Sequence, residues 1–205
     1  MRRLFSLIAQ IIYKEKYDSL RTKLLIEYSK MNNKNSRFDT LSKLLISGED
    51  HRFLYHFGFD IYAIVRATKN RMFSNKIEGA STIEQQIVRV LTNEYKRTFK
   101  RKIQEIFLST TLASNVPRKD LPSLYLNIAY YGTGLDGLQS ILNKFEIVTR
   151  DDIPIEIAAE IVSRIKYPEP KNKSNQRLIQ IEKRKLHLIN LYKNHTNRKL
   201  LRIYE

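Results

Sequence analysis

A chain of 205 residues has room for one catalytic domain with short extensions and none for a second. Its net charge of +16 directs it to polyanions such as nucleic acid, anionic lipid headgroups or phosphate-bearing substrates. The absence of cysteine excludes disulfides, thiolate metal sites and thiol nucleophiles together, and fits either redox compartment.

In chain order, Leu4 to Tyr13 is a short apolar run after Arg2 and Arg3, far below the roughly 18 to 20 apolar residues that cross a bilayer. It contains Gln10 and leads into Lys14, Glu15 and Lys16 without a small-residue cleavage site, so it reads as a short amphipathic or packing segment, with an uncleaved export or anchoring role as the alternative. Helical periodicity continues to about Met31, and the following Asn-, Ser- and Asp-rich stretch predicts a linker. The organisation expected is a helical extension and linker over 1–37, a main domain over 38–195 and a basic tail over 196–205.

Asp39 or Thr40 is placed to cap a short helix through Ile46, after which Gly48 and Glu49 open a polar, aromatic loop. Ser81 and Glu84 have capping-box spacing, which predicts a helix that buries Ile83, Ile87, Val90 and Leu91 and turns Thr82, Gln86 and Arg89 the other way. A further helix from Thr98 is expected to bury Phe99, Ile103, Ile106 and Phe107, with Arg101, Lys102 and Glu105 within one turn on its polar side. Asp120 and Pro122 start another that ends near Gly132 and Gly134, and helices follow over 155–165 and 175–192. No strand-type alternation is sustained, so the fold class is mainly α.

The densest chemistry lies in EDHRFLYHFGFD, Glu49 to Asp60, which crowds acids, histidines and aromatic rings in a way that core packing does not require. His51 and His56 lack the helical two-histidine pattern of a zinc protease. No helix-turn-helix, zinc-finger or ribonucleoprotein motif accompanies the basic surface, which turns the reading away from nucleic acid.

That segment resembles the first motif of the family 51 glycosyltransferases, the peptidoglycan polymerase domains of penicillin-binding proteins and their monofunctional relatives. GASTIEQQIVR (79–89), RKIQE (101–105) and YLNIAYYG (125–132) resemble the second, third and fourth motifs in the family's order; Glu156, Ala158, Pro168 and Arg184 look like the last block. The resemblance covers about Phe38 to Tyr192. It implies a lysozyme-like, two-lobed helical domain with a substrate cleft, and polymerisation of lipid II by inverting transfer into β-1,4-linked strands with release of polyprenyl pyrophosphate.

Such a reaction needs a base for the attacking hydroxyl and cations for the departing pyrophosphate. The resemblance assigns the base to Glu49 and makes Glu105 the second essential acid, orienting Arg101 and Lys102 or a divalent cation against phosphate oxygens. It places Asp50, Phe53, His56, Ser81, Thr82, Gln86, Arg89, Arg101, Lys102 and Asn127 at the substrate, with Mg2+ or Mn2+ and no organic cofactor. On residue type alone, Glu49 could equally be an acid at a helix end, and the Glu105 trio an ordinary surface ion-pair cluster worth about 0 to 1 kcal/mol. Arg89 and Val90 stand where the family usually has Lys and Asn, and Ala80 where it has a second Gly. These departures leave open a transferase for another polyprenyl-linked saccharide, a glycan hydrolase, and a non-catalytic relative that binds membrane or a protein partner.

The stretch from Asp60 to Gly79 mixes apolar residues with Arg66, Lys69, Arg71 and Lys76, as suits an anionic membrane surface. In the family it looks like the part that touches the membrane. The resemblance implies the outer face of the cytoplasmic membrane, although with no clear signal peptide a cytoplasmic location stays open.

Overall fold

A computed structural model of the chain describes residues 2–33, 39–74, 79–147, 153–172, 174–198 and 201. Residues 34–37 of the expected linker, the domain start at Phe38, the interfacial Lys76 and most of the 196–205 tail lie outside the described residues. The described residues form ten α-helices and no sheet strand, so the fold is mainly α, as the periodicity predicts. The helices are α1 (Arg2–Ile12), α2 (Lys14–Asn33), α3 (Asp39–Glu49), α4 (Ile61–Ser74), α5 (Ile83–Thr92), α6 (Phe99–Leu112), α7 (Leu121–Ile128), α8 (Gly137–Lys144), α9 (Ile155–Lys166) and α10 (Asn175–Asn197). None is long and apolar enough to cross a membrane.

The chain divides into two compact units: Met1–Ser29 with Arg52–Leu121, and Lys30–His51 with Pro122–Glu205. In the first, α1 and α5 both pack on α6. Phe5 of α1 stacks on Phe107 of α6 at 5.1 Å and contacts Phe59 at 5.3 Å, an aromatic cluster that fixes how α1 enters. Ile83, Ile87, Val88 and Leu91 form the buried stripe of α5; Val90 is only half-buried, and Val88 takes the place expected for it.

The α6 stripe also differs from expectation. Phe99 is 82% exposed, Ile103, Ile106 and Phe107 are half-buried, and the fully buried side is Gln104, Glu105, Leu108, Thr111 and Leu112. The helix is rotated because three cations bring the Glu105 carboxylate inside, so a charged residue occupies a position that apolar periodicity assigns to the surface.

In the second unit α10 packs on α9 and α3, and α3 on α9. Leu41, Leu44 and Leu45 of α3, Ile161 and Val162 of α9, and Ile181 and Leu188 of α10 are buried. Here α3 continues beyond Ile46 to Glu49, so Gly48 does not break it. Its missing side chain has a packing reason: a Cβ at Gly48 would lie 2.2 Å from Leu188 Cδ2 and 3.1 Å from Arg184 Nη2. The helix that begins at Leu121 ends at Ile128, four residues short of Gly132.

Candidate active site

In the first unit, the Glu105 side chain is 3% exposed and carries three cations. Arg89 donates through Nε to Oε2 and through Nη2 to Oε1, both at 3.1 Å, a two-pronged guanidinium–carboxylate pair. Lys102 Nζ donates to Oε1 at 2.7 Å, and Arg101 Nη1 to Oε2. Arg101 and Lys102 reach Glu105 because residues three and four apart share a helix face. Arg89 arrives from α5.

One negative charge under three positive ones leaves an excess of positive charge, on side chains that are 28, 14 and 30% exposed for Arg89, Arg101 and Lys102. Burial by itself would raise the Glu105 carboxyl, but the hydrogen bonds from Arg89 and Lys102 and their charges hold it below its ordinary value. For Lys102, burial together with the neighbouring Arg89 and Arg101 charges outweighs the lift from Glu105 and holds the ammonium below its ordinary value. The cluster is therefore a cation-rich patch under electrostatic tension, suited to receiving an anion.

Ser81 and Gln85 complete its rim. Ser81 Oγ accepts from Arg89 Nη2 at 3.3 Å and Lys102 Nζ at 3.1 Å, and Gln85 Oε1 accepts from Lys102 at 2.7 Å. The cap of α5 sits one residue later than expected. Thr82 is the N-cap and Gln85 its capping-box partner, with Gln85 N donating to Thr82 Oγ1 at 3.3 Å and Thr82 N donating back to Gln85 Oε1 at 3.4 Å. Glu84 is instead buried and paired with Arg118 Nε at 3.4 Å.

The loop of the first motif is anchored to this helix pair. Thr82 Oγ1 donates to the Gly58 carbonyl at 2.6 Å. Gly58 has φ +100°, and a Cβ there would meet the backbone of Ser109 and Thr110 on α6 at 2.7 Å. Only glycine allows the loop to lie this close. Phe53 is fully buried beneath the Arg118 guanidinium, 4.5 Å from its ring, with His56 edge-on at 6.2 Å; Arg118 also donates to the Phe53 carbonyl.

The second unit holds Glu49, Asp50 and Asn127. Glu49 is the last residue of α3, and Arg184 of α10 donates through Nη2 both to Glu49 Oε1 at 2.9 Å and to the Gly48 carbonyl at 2.8 Å. Asp50 is buried, with its amide bonded to the Ile46 carbonyl at 2.9 Å. Asn127 is half-buried on α7 and donates to the Ser123 carbonyl at 2.8 Å.

The predicted residues thus fall into two sets. Ser81, Arg89, Arg101, Lys102 and Glu105 meet directly around one carboxylate. Thr82 and Phe53 are buried, with Thr82's hydroxyl engaged within the protein, and Gln86 lies half-buried on α5. Gln85 joins the first set through Lys102, Arg118 and Gly58 anchor the first-motif loop, and none of the three was predicted; Arg184 matched only the closing block, with no link to Glu49. The partners named here are 17, 24, 34 and 135 residues away, beyond the reach of any local pattern.

A divalent cation on Glu105 does not fit this arrangement. Both carboxylate oxygens already accept two charged donors each, so a metal would have to displace a guanidinium or an ammonium. Glu105 instead binds Arg89, Arg101 and Lys102 together.

Comparison with known proteins agrees with the motif reading. The sequence model of a family described as Transglycosylase matches residues 17–192. Among similar proteins, Penicillin-binding protein 1A of Rickettsia bellii is 33% identical over 144 residues, which is 67% of this chain and 18% of that protein. A Monofunctional glycosyltransferase of Staphylococcus epidermidis is 35% identical over 106 residues, 52% of this chain and 39% of that protein. A Biosynthetic peptidoglycan transglycosylase of Thiobacillus denitrificans is 27% identical over 168 residues, 82% of this chain and 69% of that protein. The matches thus span between about a fifth and about two thirds of these relatives' lengths. With the family's sequence model running through both the Glu105 cluster and Glu49, the chain belongs to the transglycosylase family, the family 51 glycosyltransferases that its motifs resemble.

Proposed function

We propose that this chain is a peptidoglycan glycosyltransferase that lengthens glycan strands from a disaccharide carried on polyprenyl pyrophosphate, lipid II in the family, forming β-1,4 links with inversion. The observation that carries the reading is the Glu105 cluster, a buried carboxylate that aligns three cations in a member of the transglycosylase family.

In the proposed step, the acceptor 4-hydroxyl oxygen forms a bond to the donor's anomeric carbon while the bond from that carbon to the phosphate oxygen breaks. The hydroxyl proton goes to Glu49, and the electron pair leaves with the polyprenyl diphosphate. Arg184 holds Glu49 through Oε1 and so sets the direction of the base. Arg89, Arg101 and Lys102 receive the negative charge that grows on the leaving group, and Ser81 keeps Arg89 and Lys102 side by side. Asp50, His56, Gln86 and Asn127 contribute to substrate binding, while Thr82 and Phe53 act by fixing the loop and helix that carry the others. Mg2+ or Mn2+ enters this reading as a counter-ion of the diphosphate, not as an ion held by Glu105.

A base of this kind is worth roughly 10² to 10⁴ in rate. The membrane-bound substrate places the work at an anionic membrane surface, on the outer face of the cytoplasmic membrane. The test is incubation of purified protein with labelled lipid II, with products separated by strand length. Wild type should make polymer, and Glu49→Gln should make none while keeping its circular dichroism; polymer from Glu49→Gln, or fragments released from finished strands, would refute the assignment.

A further inference from the structure

Glu84 and Arg118 form an ion pair that the proposed transfer step leaves unused. Glu84 is buried in the first turn of α5, two residues after the Thr82 cap, and Arg118 Nε donates to its Oε1 at 3.4 Å. A buried ion pair is a weak source of stability, because desolvating two charges offsets most of their attraction, so its presence asks for a second reason. The remaining contacts of Arg118 supply one.

Three of them go to the first-motif loop. Nη2 donates to the Phe53 carbonyl, and the guanidinium lies over the Phe53 ring at 4.5 Å and the Phe57 ring at 5.3 Å. Arg118 thus grips the loop on both sides of His56, which is buried and edge-on to Phe53. Two residues beyond His56, the Gly58 carbonyl is tied to the Thr82 hydroxyl. His56 therefore stands on a segment fastened at both ends, with Glu84 behind one fastening and Thr82 making the other. The support of Arg118 is firm as well. It opens a 3-10 turn, Arg118–Asp120, between the buried Val116 and Leu121, and the Tyr28 hydroxyl of α2 donates to the buried Asp120 carboxylate at 2.7 Å. A planar fork that donates in two directions while its face stacks on rings is what Arg offers and Lys does not.

We propose that Arg118 is a positioning residue for the transfer reaction: backed by Glu84, it sets the place of His56 in the substrate site by holding Phe53 and Phe57 on either side of it. This rests on the transferase reading and adds to it a residue that lies outside the four motifs. Misplacing a substrate-positioning group by about 1 Å costs on the order of a hundredfold in rate, so even partial loosening of the loop is legible in turnover.

In the full chain, Arg118→Lys keeps a charge for Glu84 but cannot hold the carbonyl and both rings at once. It should stay within about 5 °C of the wild-type Tm while kcat/KM for lipid II falls by about tenfold or more. In a His56→Gln background the same substitution should change kcat/KM by less than about threefold, because a residue that acts through His56 has nothing left to act on. The chain has four histidines, so the His56 ring signal in a proton–carbon correlation spectrum is identified by its loss in His56→Gln. That signal should be displaced in Arg118→Lys, with the signal of His187 unmoved. Where Arg118→Lys fails to fold, Glu84→Gln with Arg118→Met, which removes both charges together, replaces it in every comparison.

A His56 signal that keeps its place overturns the inference, and so does a kcat/KM within about threefold of the wild type. An equal loss in the two backgrounds overturns it too, since Arg118 would then support the fold without acting through His56. If His56→Gln makes no polymer, the signal and the single-variant rate decide. No polymer from the wild type overturns the transferase reading and this inference with it, whereas an active wild type with any of the three contrary results sinks the inference alone.

Discussion

Replacing Glu105 with Gln keeps the shape of the side chain and removes the only negative charge among three cations. At an effective dielectric near 20, each contact is worth up to about 4 kcal/mol in gross Coulomb energy, most of which is already offset by desolvation. Breaking a buried pair by removing one partner costs about 3 to 5 kcal/mol; because the cations are partly open to solvent, about 2 to 4 kcal/mol is expected here. For a chain of this length that lowers Tm by about 5 to 15 °C. Calorimetry of both proteins across pH gives a second reading. Since the folded-state carboxyl sits below its ordinary value of 4.5, its contribution is full above that pH and is lost as pH falls through the folded value. The Tm gap between wild type and Glu105→Gln should therefore be constant near neutrality and shrink in acid. A gap under about 2 °C, or one that widens in acid, would refute the view of Glu105 as the buried counter-charge.

Lys102→Met should leave Tm unchanged or slightly raised, because burial already disfavours the ammonium, yet should abolish polymerisation in the strand-length assay. Gly58→Ala puts a Cβ 2.7 Å from rigid backbone at a left-handed φ and should cost about 3 kcal/mol or more by denaturant midpoint, whereas Gly79→Ala, with nothing within 4 Å, should stay within about 0.5 kcal/mol. Gly48→Ala gains about 1 kcal/mol of helix propensity but forces a methyl against the fully buried Leu188, so it should cost about 1 to 2 kcal/mol net by denaturant midpoint. It also crowds Arg184 and should lower turnover by about tenfold or more.

What could be read from the sequence follows the range of the forces involved. Arg101, Lys102 and Glu105 were placed together correctly because their contact depends only on helix geometry. The α5 cap was set one residue early because Ser81–Glu84 and Thr82–Gln85 fit the same local rule equally well. The choice is made elsewhere in the chain, by the Gly58 carbonyl that takes the Thr82 hydroxyl and by the two cations that use Ser81. Phe99 was expected inside and lies outside because periodicity counts apolar residues and cannot see a carboxylate being neutralised. Gly48 looked like a stop signal, but the need for it comes from Leu188 and Arg184 of α10, far along the chain and packed directly against it.

The tie between Arg184 and Glu49 spans 135 residues and closes a unit whose first piece, Lys30–His51, is made long before its second, Pro122–Glu205. During synthesis, α3 leaves the ribosome without the helix that will aim its terminal acid. The orientation of Glu49 is thus among the last features that the growing polypeptide acquires, and a nascent chain halted before α10 would carry the residue without the geometry.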